Sequence, residues 1–195
     1  MIYLIRHATP LVDYGRCGAH TARTLLDEYN RTSIIDEDEI AGFLSQPELS
    51  GPVLSPEATV FSSPVSRAYA TASRLFEAER IKKDSRLREY DLRLSGIPLL
   101  RMTLRQWFAL HRVLWLAGIS LGATPRKDEY LRAMGVADEI YKLRVATGTP
   151  LIVVSHGMFL RTVRKTLQKQ GMRVHTVYRS GCFTVESLSV REHAQ

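Results

Sequence analysis

Leu151-Ile152-Val153-Val154-Ser155-His156-Gly157 is the stretch that decides the architecture of this chain. An uncharged apolar run closed by Ser-His-Gly reads as a short strand buried on both faces, the kind found inside parallel sheets. Gly157 then precedes Met158–Gln170, where Phe159, Val163 and Leu167 recur as a helical stripe and Gly171 marks the stop. Two other apolar runs read the same way, Tyr3–Ile5 and Thr59–Ser62. After the latter, Pro64 stands where a first helical turn tolerates it, and Ala68, Ala72, Leu75 and Phe76 follow at helical spacing. Further helices are expected over Asp36–Ser45, Leu104–Ala117 and Asp128–Ala146, with a late strand at Cys182–Ser187. Strands alternating with helices predict an α/β sandwich around a mostly parallel sheet.

Ligands of such sheets bind beyond the carboxyl ends of the strands. Arg6-His7 follow the first strand, Ser62-Ser63-Pro64 and then Arg67 follow the second, and His156-Gly157 follow the third. Parallel strands would carry all of these to one edge. Two imidazoles flanked by two guanidiniums suit phosphoryl transfer: a neutral ring nitrogen attacks phosphorus in line while cations hold the equatorial oxygens. Arginine forks can supply the positive charge that a metal ion would otherwise bring. A leaving oxygen also needs a proton donor, and Glu89, in Leu87-Arg88-Glu89-Tyr90-Asp91, is the best candidate, with Asp91 close by as the other.

Four blocks together, Leu4-Ile5-Arg6-His7-Ala8, Ser62-Ser63-Pro64-Val65-Ser66-Arg67-Ala68-Tyr69-Ala70-Thr71-Ala72, Leu87-Arg88-Glu89 and Val154-Ser155-His156-Gly157, resemble the motifs of the histidine phosphatase superfamily, to which the cofactor-dependent phosphoglycerate mutases belong. They occur in the family's order between residues 4 and 157. The resemblance implies a three-layer α/β/α sandwich and a metal-independent phosphomonoesterase without a cofactor. It implies His7 as a nucleophile that becomes phosphorylated, Arg6, Arg67 and His156 as the phosphate clamp, and Glu89 as general acid and then base. Three positions depart from the pattern: Ala8 where glycine is usual, Thr9-Pro10 in place of a polar pair, and Arg93 four residues past Glu89 where glycine is usual. A Glu-Arg-x-Tyr-Gly stretch associated with the glycolytic mutases is missing, so hydrolysis ranks above mutase chemistry. A catalytically impaired phosphate-binding protein is the remaining alternative.

The rest of the chain bounds this reading. Its 195 residues suit one domain, with a helical lid or insert at about 93–126. Basic residues outnumber acidic ones 27 to 20, and 21 of the basic ones are arginine, which suits an anionic substrate such as a phosphorylated metabolite or phosphoprotein. No basic run with interleaved aromatics points to nucleic acid. Cys17 and Cys182, the only cysteines, allow no bridge framework or zinc ribbon, so a reducing, cytoplasmic compartment is expected. Cys17 and Arg23 stand in a Cys-x5-Arg spacing, yet no apolar strand precedes them. Asp36-Glu37-Asp38-Glu39 reads as the acidic first turn of a helix rather than as a metal site. Between Leu99 and Gly122 the longest uncharged stretch is too short to span a bilayer, which needs about 20 apolar residues, so no stable membrane insertion is expected. Ordinary packing, a lid, a homodimer face or a basic amphipathic helix touching a membrane surface all remain open for the Leu104–Ala117 helix; as a lid, its Trp107 and Trp115 would shape the substrate pocket. His20, His111, His175 and His193 are expected to be structural or exposed.

Overall fold

The structure is a computed structural model and describes residues 1–94, 100–119 and 121–190. Its centre is a six-stranded sheet in the order β4 (Ile81–Lys83), β3 (Thr59–Ser62), β6 (Leu151–Ser155), β1 (Ile2–Arg6), β8 (Phe183–Val190), β7 (Met172–Ser180). β4, β3, β6 and β1 run parallel, whereas β8 is antiparallel to both β1 and β7. The three apolar runs are therefore adjacent, with the Leu151–Ser155 strand in the middle and every one of its residues buried.

Alternation along each strand divides the core into two layers. Ile2, Leu4, Leu151 and Val153 point to one face, where they meet Ala133, Val136, Ala137 and Ile140 of α6 (Arg126–Thr147) and Phe159, Val163 and Leu167 of α7 (Gly157–Lys169). Tyr3, Ile5, Val60, Ile152 and Val154 point to the other. There they meet Ile40 and Phe43 of α2 (Asp38–Leu44), Val53 of α3 (Pro47–Val53) and Ala72 and Leu75 of α4 (Ser66–Leu75). This is the expected α/β/α sandwich. A third cluster joins α1 (Ala19–Arg31) to α5 (Leu104–Leu116) through Ala22, Leu26, Leu104 and Trp107, next to the small β2–β5 ribbon of Arg16–Gly18 and Arg101–Thr103. Over its described residues, the segment expected as an insert contributes β5 and α5; residues 95–99 and 120 of it lie outside the description.

Two expectations need correction. Pro64 lies outside the helix it was expected to open: α4 begins at Ser66, with Val65 extended at its N-cap. The late strand is half of a β7–β8 hairpin, whose turn needs Gly181 twice over. Its φ is +51°, and a Cβ there would stand 1.6 Å from Glu39 Oε1.

Candidate active site

β1 and β6 exchange a ladder in register, Arg6 opposite Ser155, and His7 N–H continues it to Ser155 O at 3.0 Å. That pairing sets His7 and His156 side by side just past the strand ends: their ring centroids are 5.1 Å apart with planes 62° apart. His7 is 2% exposed and His156 is 0% exposed. Period-two alternation sends Arg6 to the α7 face, where Gly157 lets it pass: a Cβ on that residue would stand 3.1 Å from Arg6 Nε.

The hydrogen bonds assign the proton of His7 and admit two tautomers of His156. Ala8 O stands 2.7 Å from His7 Nδ1 and accepts its proton, while His7 Nε2 accepts from Arg67 Nε at 3.1 Å. His7 is thereby the tautomer whose free lone pair sits on Nε2. Ser63 Oγ lies 2.9 Å from His156 Nε2 and itself accepts from Val65 N–H, so its hydroxyl is free to donate to the ring. In the tautomer where Ser63 donates, the proton of His156 is on Nδ1, a buried atom with no partner among the described residues. Burial first, then the charges of Arg67 and Arg6, hold His7 well below the ordinary histidine value, against the opposing bond to Ala8 O. His156 is held well below it by burial, Arg67, His7 and Arg6. Both rings are neutral near pH 7.

Arg67, from α4, is 2% exposed. Besides His7, its guanidinium donates to Tyr29 O at 3.1 Å and Asn30 Oδ1 at 3.3 Å, and it lies 4.3 Å from the Tyr29 ring centroid. Thr71, one turn on, donates to Arg67 O and accepts from Ala8 N–H, which ties α4 to the residue after His7. Glu89 is held by the start of α7: Oε1 accepts from Tyr90 and Phe159 N–H at 2.9 and 3.0 Å, and Oε2 from Met158 N–H at 3.1 Å. Asp91 instead accepts from Thr124 N–H at 3.2 Å and faces Arg93, on the side of the insert. Of the two carboxylates, Glu89 is the one fastened to the residues that directly follow His156.

These groups bound a cavity of about 620 Å³, a size suited to a small-molecule ligand. Arg6, Arg67 and Glu89 line it; the rings of His7 and His156 lie behind them, out of the lining. Its remaining wall includes Asp91; Phe108 and Arg112 of α5, the helix for which a lid was one reading; and Leu26 and Tyr29 of α1, which sequence reasoning did not single out. α1 was missed because only Ala22 and Leu26 of its length are buried, too few to make a stripe. Leu26, Tyr29 and Asn30 do recur at i, i+3, i+4, the one signal that could have found it. α5 faces the cavity, but not through the residues expected. Trp107 and Trp115 are 0% and 2% exposed and turn their Nε1–H groups inward, to Cys17 O and Thr124 O.

The rival features resolve into structure. Burial and the charge of Asp13 raise the Cys17 thiol, and Arg23 donates to Leu94 O instead of lining an anion cradle. The acidic run is split: Glu37 pairs with Arg74 at 2.6 Å, Asp38 opens α2, and Glu39 is buried, accepting from Thr9, Cys182 and Phe183 N–H. Asp38 and Glu39 both stand in the first turn of α2, as the helix-dipole reading expects, while Glu37 is its N-cap and Asp36 precedes it. His20 and His175 are exposed, His111 is buried against Trp107 O, and His193 lies outside the described residues.

The sequence matches the histidine phosphatase superfamily (branch 1) over residues 49–193, which include Arg67, Glu89 and His156, and the chain belongs to that family. No curated protein matches it. Among solved structures it is similar to mycobacterial hydrolase 1, at 18% identity and TM-score 0.53, over 97% of this chain and 96% of that one. It is similar to mycobacterial hydrolase 2 at 19% and 0.53, over 97% and 88%. A mycobacterial glucosyl-3-phosphoglycerate phosphatase in complex with VO3 matches at 19% and 0.52, over 97% and 96%. At these identities the likeness is one of fold.

Proposed function

We propose that the protein is a phosphomonoesterase that works through a phosphohistidine on His7 and needs no metal. The observation that carries this is the His7 Nε2 lone pair, held between the Arg67 guanidinium and a neutral second imidazole 5.1 Å away by ring centroids. A substrate phosphoryl group entering the cavity takes over the Arg67 donors, which frees Nε2 to attack. Arg6, Arg67 and the His156 Nδ1–H receive the equatorial oxygens, where charge lies in the transition state. As the N–P bond forms, the P–O ester bond breaks and the alcohol oxygen takes a proton from Glu89. Oε2 of Glu89 accepts a single N–H against two on Oε1, which supports it as the oxygen that carries that proton. Glu89 then removes a proton from water, the water oxygen bonds to phosphorus, the N–P bond breaks, and phosphate and neutral His7 are released.

The test is turnover of a generic aryl phosphate by the wild type and by His7→Ala, each with and without EDTA. The alanine variant should be inactive and chelator should leave the wild type unaffected. Full activity in the variant, or loss with EDTA, would overturn the reading. Arg67→Ala should lower kcat/KM by about 10²-fold or more.

A further inference from the structure

Arg6 also lines a second cavity. On the α7 face, a cleft of about 240 Å³ is bounded by Arg6, Gly157, Arg161, Arg164, Arg179, Thr184 and Glu186, with Leu4 and Leu160 beneath. Strand register explains the gathering. Thr184 on β8 stands opposite Arg6 on one side and Arg179 of β7 on the other, so these three lie in one row across the sheet. In the next row Glu186 lies opposite Leu4. One turn of α7 apart, Arg161 and Arg164 cover the same ground from above.

The charges there do not cancel. Glu186, the one acidic residue of the lining, is already paired with Arg164 at 2.6 Å. The side chains of Arg161 and Arg179 make no hydrogen bond or ion pair with any described residue, and Arg6 Nε is buried without a partner beside Gly157. Three guanidiniums therefore share one concave site with no counter-charge left. Arginine forks around a dry atom such as Arg6 Nε match the oxygens of a tetrahedral anion. At about 240 Å³ the cleft falls below the range of about 300–1,000 Å³ that houses drug-sized ligands, so its occupant is small.

We propose that this cleft is a second anion site, for a small tetrahedral oxyanion of the inorganic phosphate class, held by Arg6, Arg161 and Arg179. Because Arg6 belongs to both cavities, an anion in the cleft draws its guanidinium away from the one in the catalytic pocket. Insofar as it concerns turnover, this rests on the reading of His7 and Arg67 above. Inorganic phosphate, the product of that reaction, would then inhibit in two ways, by occupying the pocket and by occupying the cleft.

Isothermal titration with inorganic phosphate, comparing the wild type with Arg161→Glu/Arg179→Glu, decides the matter. Both side chains are exposed, so the fold should survive, and a matched Arg161→Gln/Arg179→Gln pair guards against a folding artefact. The double variants should lose one class of phosphate site while keeping turnover without added phosphate. Phosphate inhibition of an aryl phosphate should change from mixed to purely competitive. Lys127→Glu/Lys142→Glu, exposed on α6 and equal in charge change, should alter neither, since a specific site and not the overall field is at stake. Phenylphosphonate as a second probe separates free phosphate, which the cleft admits, from a terminal phosphate carrying a bulky group. Unchanged phosphate binding in the Arg161/Arg179 variants would overturn the proposal. Arg67→Ala should lose the other class of site; if it binds phosphate as the wild type does, the catalytic clamp fails and the cleft stands.

Discussion

Neutral imidazoles buried behind the wall of an arginine-lined pocket leave a mark on stability as well as on chemistry. Burial and the Arg67 and Arg6 charges depress His7, and burial, Arg67 and His7 depress His156, so the folded state binds fewer protons than the unfolded chain below about pH 6.5. Where the unfolded state binds more protons, stability rises with pH; it is present in full above the unfolded value and is lost as pH falls through and below it. Urea midpoints should therefore drop between pH 7 and pH 5, with a limiting slope of about 1.4 kcal/mol per pH unit for each ring left unprotonated. His7→Gln and His156→Gln should each flatten that slope. A slope identical to the wild type in both would mean the rings titrate normally in the fold. At this scale much was legible in the sequence. Arg6, His7, Arg67, Glu89 and His156 sit in blocks whose order and spacing are written along the chain, and the structure brings them together. Tyr29 had no such context, and Phe108 and Arg112 lay on a helix for which a lid was one reading among several, because a place beside the pocket depends on how α1 and α5 pack, which local pattern does not encode.

Among elements, α2 is tied to the β7–β8 turn near the site through Glu39. Glu39 gathers Thr9 N–H and Oγ1, Cys182 N–H and Phe183 N–H, and so fixes the loop that leaves His7 to the hairpin beside Arg6. Glu39→Ala would leave Thr9 N–H and Phe183 N–H without their acceptor, each worth roughly 1–3 kcal/mol when unsatisfied, while Cys182 N–H keeps Thr9 Oγ1, and it should destabilise the protein by about 3 kcal/mol in chemical denaturation. Gly181→Ala should be comparably harmful, since its Cβ would overlap the Glu39 carboxylate. For α5 the expectation divides by face. Trp107→Ala should cost about 3–5 kcal/mol of stability by opening a hole in the third cluster. Phe108→Ala, on the cavity side, should raise KM for bulky substrates with little loss of stability. The opposite assignment would return the tryptophans to the pocket wall. The same division marks what the sequence could convey. β3 and β6 agree with their apolar runs to the residue; β6 is buried on both faces, and β3 buries one face fully and the other in part. β7 was missed because among its nine residues only Met172 is fully buried, so neither alternation nor a continuous run identifies it.

For the molecule as a whole, the sheet order explains why four separated blocks can make one site. β1, β6 and β3 are neighbours and parallel, so the residues after each emerge at one edge, and α4 and α7 begin there with Arg67 and Glu89's N–H donors. Sequence reasoning reached this through parallel strands alone, while the antiparallel β8–β7 edge, which adds Arg179, Cys182 and the second cleft, lay beyond it. Among the described residues no helix is long and apolar enough to cross a membrane. The central claim is that the phosphoryl group passes through His7. Rapid-quench mixing of the enzyme with a ³²P-labelled phosphomonoester, followed by peptide mapping, tests it most directly. The account predicts a transient, acid-labile label on the peptide containing His7, absent in His7→Ala and longer-lived in Glu89→Gln. Phosphate release at the normal rate with no labelled protein, or a label on any other residue, would contradict it.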